Sequence, residues 1–158
     1  MPTAVALFKF VGTITLGLLT GVSYTLSTQS LPSLLTLPSA KPAAYTLRQT
    51  ARLATLHITT LSTISCLSLG LAFALSPSRV RHPYLLWTSL IAASSGALNF
   101  AMDKSMRQRV VKDEVGEVNG EQVEKKARDQ QWIEFVRTGV SGLGFVMATV
   151  GIWGDGST

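Results

Sequence analysis

The sequence predicts an all-α fold, a four-helix integral membrane protein with a charged helical hairpin between spans 3 and 4. Three observations carry that prediction. Residues 10–40, 53–78, 82–102 and 138–154 contain no Asp, Glu, Lys or Arg, and about 20 apolar helical residues cross a bilayer core. Charged residues make up 15% of the chain against the roughly 25% of an ordinary globule, although its hydrophobic share of 46% is unexceptional. The charge that remains is concentrated, because residues 103–131 hold seven of the fourteen basic and seven of the nine acidic side chains.

The first span is expected at residues 4–26, retained as a span and not cleaved as a signal peptide, with Lys9 snorkelling towards one end. Pro32, Pro38 and Pro42, interspersed with Ser33 and Ser39, forbid a continuous helix over 31–42 and mark a connection. A helix then starts near Ala43, carries Tyr45, Arg48, Gln49 and Arg52 at the membrane surface, and crosses at 53–75 until Ser76-Pro77-Ser78 stops it. The loop containing Arg79, Arg81, His82 and Pro83 is short, so the flanking spans form an antiparallel hairpin. The third span runs over 84–102.

Segment 103–131 reads as helix, turn, helix, punctuated by Asn119-Gly120 and supported by the i,i+4 pairs Glu121/Lys125 and Glu124/Arg128. Its second half continues into the fourth span at 133–153. Trp132 and Trp153 bracket that span 21 residues apart, roughly 31 Å of helix. Tyr84 and Trp87 mark one end of the third span in the same manner. All 158 residues belong to one membrane domain.

Charge also excludes partners. The net +5 and pI near 9.7 suggest an anionic polymer, but the densest basic region is neutralised by its own acids. A nucleic-acid face needs unopposed basic residues that release counterions. The excess positive charge belongs to Lys41, Arg48, Arg52, Arg79, Arg81 and Arg137 at expected membrane boundaries. Membrane lipid is therefore the expected partner, and nucleic acid is not. Ten basic residues fall in loops 27–52 and 103–131 and three on the opposite side, which by the positive-inside rule puts both long loops in the cytosol.

Two His and one Cys leave no metal site, and no Gly-rich phosphate loop or nucleophile elbow occurs, so no catalytic, cofactor-binding or metal residues are assigned. His57, Glu134 and Arg137 are the ionisable groups near spans, each within about two turns of a span end, where the interface accommodates them. Glu134 and Arg137 are spaced to pair. Small residues recur at helix-packing intervals: Gly17 and Gly21, then Ser62, Cys66, Gly70 and Ala74, then Ala92 and Gly96, then Gly144 and Ala148. They serve packing among the four spans or, in the functional version, a homo-oligomer or a partner helix.

The segment Arg81-His82-Pro83-Tyr84-Leu85-Leu86 resembles the loop entering the third span in the fungal autophagy-related protein 33 family, small outer-membrane proteins of mitochondria that act in mitophagy. Lys9, Gly17-Leu18 and Gly21 are similar to that family's first span, and Gly151-Ile152-Trp153-Gly154-Asp155-Gly156 to its C-terminal signature. The likeness covers the spans and lapses in the charged loop, which is compact here. What the resemblance implies is a multi-pass protein of the mitochondrial outer membrane, partners among autophagy or mitochondrial fission proteins, and no catalysis.

The motif has a physical reading of its own. Pro83 starts a helix, Arg81 and His82 sit at headgroup level, and Tyr84 anchors the interface. Phe8-Lys9-Phe10-Val11 and Trp87-Thr88-Ser89-Leu90 have the form of peptides that bind ubiquitin-like proteins, but both lie within spans and cannot add a strand to a partner's sheet. The expected function is non-enzymatic support of mitophagy through protein contacts or membrane shape. The competing readings are a small four-helix membrane enzyme similar to anthrone oxygenases and a small carrier. His57 beside Asn99 in a polar pocket would favour the enzyme.

Overall fold

Small and apolar residues with few internal breakers give long helices, and prolines set their ends. The computed structural model describes residues 2–77, 81–113 and 120–155, with side chains at 3–77, 81–100 and 120–154. Helix α1 spans Pro2–Thr25 and runs on through a π-helical turn at Leu26–Ser30 into the short α2 at Leu31–Leu34. The long helices α3 (Ala40–Leu75), α4 (Pro83–Asp113) and α5 (Gly120–Asp155) follow, and no strand occurs among the described residues. Arg79 and Asn119 lie outside the described residues, as do Ser78 and Gly156.

The prolines act at the helix starts. Pro32 stands in the first turn of α2 and Pro42 in the first turn of α3, where the missing N–H would be unpaired anyway. Helical backbone therefore persists to Leu34, and the connection expected over 31–42 narrows to residues 35–39. In the π turn Leu31 N–H donates to Leu26 O. Pro32 has no N–H to continue that pattern to Ser27 O, and Ser27 O instead accepts from Gln131 Nε2 at 2.9 Å. Helix α3 ends at Leu75 and is capped by Ser76, extended before Pro77, its N–H and hydroxyl both donating to Ala72 O.

Each long helix packs antiparallel on its neighbours in the ring α1, α3, α4, α5. Thr15 Oγ1 and Ser65 Oγ fix α1 against α3 at 2.7 Å. Ser62 Oγ donates to Ala92 O, and Asn99 Nδ2 donates to Thr55 O and Thr59 Oγ1, across α3 and α4. Thr20 Oγ1 donates to Ser141 Oγ at 3.1 Å across α1 and α5. Two apolar clusters result. The main one is built on Leu16, Leu19, Ile58, Leu69, Leu85 and Ala92 inside the ring. A smaller one joins Leu31, Leu34, Ala43, Leu47 and Ala127 beyond it, at the end bearing the charged segment.

Side-chain polarity is inverted relative to a water-soluble bundle. Among the described residues fifteen polar or charged ones are buried, eleven of them Ser or Thr beside Asn99, Gln130, Glu134 and Arg137, as many as the buried apolar ones. The outer faces carry Leu7, Phe10, Ile14 and Leu18 on α1, Leu56, Ile64, Leu67 and Leu71 on α3, and Val136, Val140, Leu143 and Val146 on α5. Small hydroxyl residues allow close helix approach and bond their own helix's carbonyls, as Thr20 does to Leu16 O and Thr88 to Tyr84 O.

Three helical segments, Thr3–Leu34, Ala40–Leu75 and Gly120–Gly154, are long and apolar enough to cross a membrane. The fourth expected span, 84–102, is helical within α4, but its described part is less apolar, because Thr88, Ser89, Ser95 and Asn99 interrupt it. Those four side chains all face inwards, leaving Leu86, Trp87, Leu90 and Leu98 outside.

Candidate functional site

Lys9, the Arg81–Leu86 segment and Gly151, one part of each sequence block singled out above, meet at one end of the bundle, where α3 turns into α4. Arg81 Nη2 reaches back to Ala74 O and Ser76 O at 3.3 and 3.4 Å, closing the last carbonyls of α3, and its guanidinium lies 5.0 Å from the centre of the Phe73 ring. His82 O accepts from Leu85 N–H at the start of α4, and the His82 and Tyr84 rings lie 6.0 Å apart. Pro83 opens α4. Tyr84 turns inwards over Gly151 of α5, where a Cβ would stand 2.5 Å from the ring, and Lys9 Nζ sits 6.0 Å from the ring centre. One aromatic side chain thus joins α1, α4 and α5, and Gly151 is the residue that admits it.

The opposite end holds charge. Glu134 and Arg137, one turn apart on α5, form an ion pair through Arg137 Nη1 and Glu134 Oε1, and both side chains are about 2% exposed or less. The sequence reading put them at the interface; the fold turns them inwards. Their burial follows from spacing, since Gln130, Glu134, Arg137 and Ser141 recur at intervals of four, three and four along one face of α5, and all four are buried. Glu134 Oε2, Arg137 Nε, Arg137 Nη2 and Gln130 Oε1 find no hydrogen-bond partner. Neither does Ser23 Oγ on α1, which lies along the seam between the Thr20–Ser141 and Ser27–Gln131 bonds. An unpaired buried polar group costs about 1–3 kcal/mol, and a buried ion pair without full hydrogen bonding is a weak source of stability.

His57 and Asn99 are not brought together. His57 is exposed on α3 and its Nδ1 bonds Leu53 O of its own helix, whereas Asn99 is buried and bonded to Thr55 and Thr59. Cys66 is half-buried, 3.7 Å from Ser89 Oγ. No group of three or more His, Cys, Asp or Glu able to hold a metal exists among the described residues.

Comparison with known proteins decides what this architecture belongs to. The family model described as Autophagy-related protein 33 matches residues 1–134. Autophagy-related protein 33 of Gibberella zeae is 34% identical over 185 aligned positions, which cover 98% of this chain and 93% of the relative. The chain belongs to the autophagy-related protein 33 family. No solved structure matches it.

Within this autophagy-related protein 33 bundle the small residues have distinct surroundings. A Cβ on Gly17 would meet the Phe145 ring at 2.8 Å, one on Gly96 would meet Ser62 Oγ at 2.6 Å, and one on Gly144 would meet Ile91 at 3.0 Å. Gly70 lies opposite Ser89 Oγ at 3.5 Å, at ordinary contact distance. Gly21 differs, since nothing lies within 4 Å of its Cβ position and it faces outwards. In the charged segment, Arg128 pairs with Glu124 Oε1 at 2.9 Å on an exposed face.

Sequence reasoning missed Phe73, Gln130 and Ser23. Gln130 was accessible in principle, because the 130, 134, 137, 141 spacing is a helical stripe. Phe73 and Ser23 had no such signal, as each matters through a partner on another helix.

Proposed function

We propose that the chain is a multi-pass protein of the mitochondrial outer membrane that supports selective autophagy of mitochondria without catalysing a reaction, acting through protein contacts or membrane shape. Membership of the autophagy-related protein 33 family supports the autophagy role. The observation that supports the membrane placement is the polarity of the bundle, in which Ser, Thr and an ion pair share the interior with Leu and Ala while Leu, Ile, Val and Phe line the outside. In water that arrangement would expose large apolar faces on every helix; in lipid it satisfies both sides. Helix α4 completes the ring as a fourth span with its polar side chains towards α3.

The interior also supports a non-enzymatic role, because its bonded polar side chains mostly reach carbonyls of their own or the adjacent helix, and the titratable His57 faces outwards. Partners are expected among autophagy or mitochondrial fission proteins, met on the exposed apolar faces or at the charged segment.

Deletion in a fungal host, with mitochondrial turnover followed under starvation, tests the role; normal turnover overturns it. Retention of the protein in the mitochondrial membrane pellet after carbonate extraction, with protease reaching segment 103–131 on intact mitochondria, tests the placement.

A further inference from the structure

Three features coincide where α1 meets α5 near the charged segment. First, α1 leaves α-helical geometry at Leu26–Ser30, and Pro32 leaves Ser27 O to a side-chain donor on α5. Turns of this kind are weak points in a helix and recur at functional sites. Second, the same seam buries five unpartnered polar atoms, on Ser23, Gln130, Glu134 and Arg137. Both signs of hydrogen-bonding group are represented, three N–H on Arg137 and acceptors on Glu134, Gln130 and Ser23, so neither a bare anion nor a bare cation suits them all. Water, which donates and accepts, does. Third, the apolar packing is split into two clusters, one ending on α1 at Leu26 and the other beginning at Leu31, with the π turn between them.

The ion pair lies within one helix, so separating α5 from α1 would not break it. It holds nothing across the seam, while its unused atoms penalise closure. We infer that the α1–α5 seam is a gate, which swings at the π turn Leu26–Ser30 and admits water to Glu134 and Arg137 while the middle of the bundle stays packed. Trp132, exposed five residues before Arg137, puts Arg137 about 7 Å below the expected interface, within reach of headgroup water. The gate rests on the membrane placement proposed above, and carbonate extraction of the same samples distinguishes failure of that placement from failure of the gate.

The test is cysteine accessibility in proteoliposomes, in a Cys66→Ala background, with a charged, membrane-impermeant methanethiosulfonate reagent. Ser23→Cys reports the seam, and Ser65→Cys, buried between α1 and α3 in the middle of the bundle, reports general loosening. Ser23→Cys is expected to label about tenfold faster or more than Ser65→Cys. Adding Glu134→Leu and Arg137→Leu removes the atoms that draw water in, and should bring the Ser23→Cys rate down towards that of Ser65→Cys. Equal labelling at both positions overturns the gate, as does an unchanged Ser23→Cys rate in the double-leucine background. Hydrogen exchange on the unsubstituted protein gives a second readout. Amides of 26–34 should exchange faster than those of 58–72, and equal protection overturns the proposal.

Discussion

The two ends of this bundle solve opposite problems with the same four helices. Where α3 turns into α4, the prominent contacts reach between elements: Arg81 closes α3, and Tyr84 lies on Gly151 with Lys9 nearby. At the other end the ion pair of Glu134 with Arg137 stays within α5, and the remaining carboxylate and guanidinium atoms of that pair lack partners. The first end gains stability from shape, which a bilayer does not weaken. The second contains charges whose desolvation a bilayer makes worse. The difference teaches that burial alone does not mark the firm part of a helical bundle; what matters is whether each buried polar atom is answered.

The largest effect that would break the comparison comes from single substitutions in the ion pair. Arg137→Met leaves the Glu134 carboxylate buried and unpaired, and should cost about 3–5 kcal/mol in reversible unfolding in detergent. Glu134→Leu combined with Arg137→Leu should recover that loss and match or exceed the original stability. A double variant as unstable as the single would mean that the pair does hold the hairpin-side end together.

Next comes Gly151→Ala, which pushes a methyl group against the Tyr84 ring and should cost about 1–3 kcal/mol by thermal unfolding. Tyr84→Leu in the same chain should relieve part of it, since the added Cβ would then meet a smaller side chain. Gly21→Ala is the contrast, expected to be neutral or stabilising by up to about 1 kcal/mol from helix propensity, because no atom stands near its Cβ position. Loss of stability there would show that Gly21 packs against a second chain.

Arg81→Ala should be milder, about 1 kcal/mol, from loss of the bonds to the end of α3 and of the Phe73 contact. Smallest of all, Glu124→Ala should change stability by under about 0.5 kcal/mol, since its pair with Arg128 is solvent-exposed.

Much of this was legible in the residues. Charge-free runs and terminal aromatics located the helices, because about 20 apolar residues without ionised groups mark a helix long enough to cross a bilayer. Stops were legible where a residue imposes backbone geometry locally, as Ser76-Pro77 does at the end of α3. The connection expected over 31–42 is present but narrower, 35–39, because a proline in the first turn of a helix and a proline in a loop look alike in one dimension; the carbonyl that Pro32 leaves open is taken by Gln131, about a hundred residues away. The reduced apolarity of α4 was visible in Thr88, Ser89, Ser95 and Asn99, but their inward orientation was not.

The sequence by itself determined the all-helical class, the helix positions, the neutral charged segment and the family, since these depend on composition, period and motif within a segment. Tertiary structure alone decided that Tyr84, Lys9 and Gly151 converge, and that Glu134 and Arg137 are buried at a seam instead of resting at the interface. The physical reason is that burial of a polar atom belongs to no single helix. It is fixed by which neighbour covers it, and in this bundle one neighbour of α5, helix α1, comes from the other end of the chain.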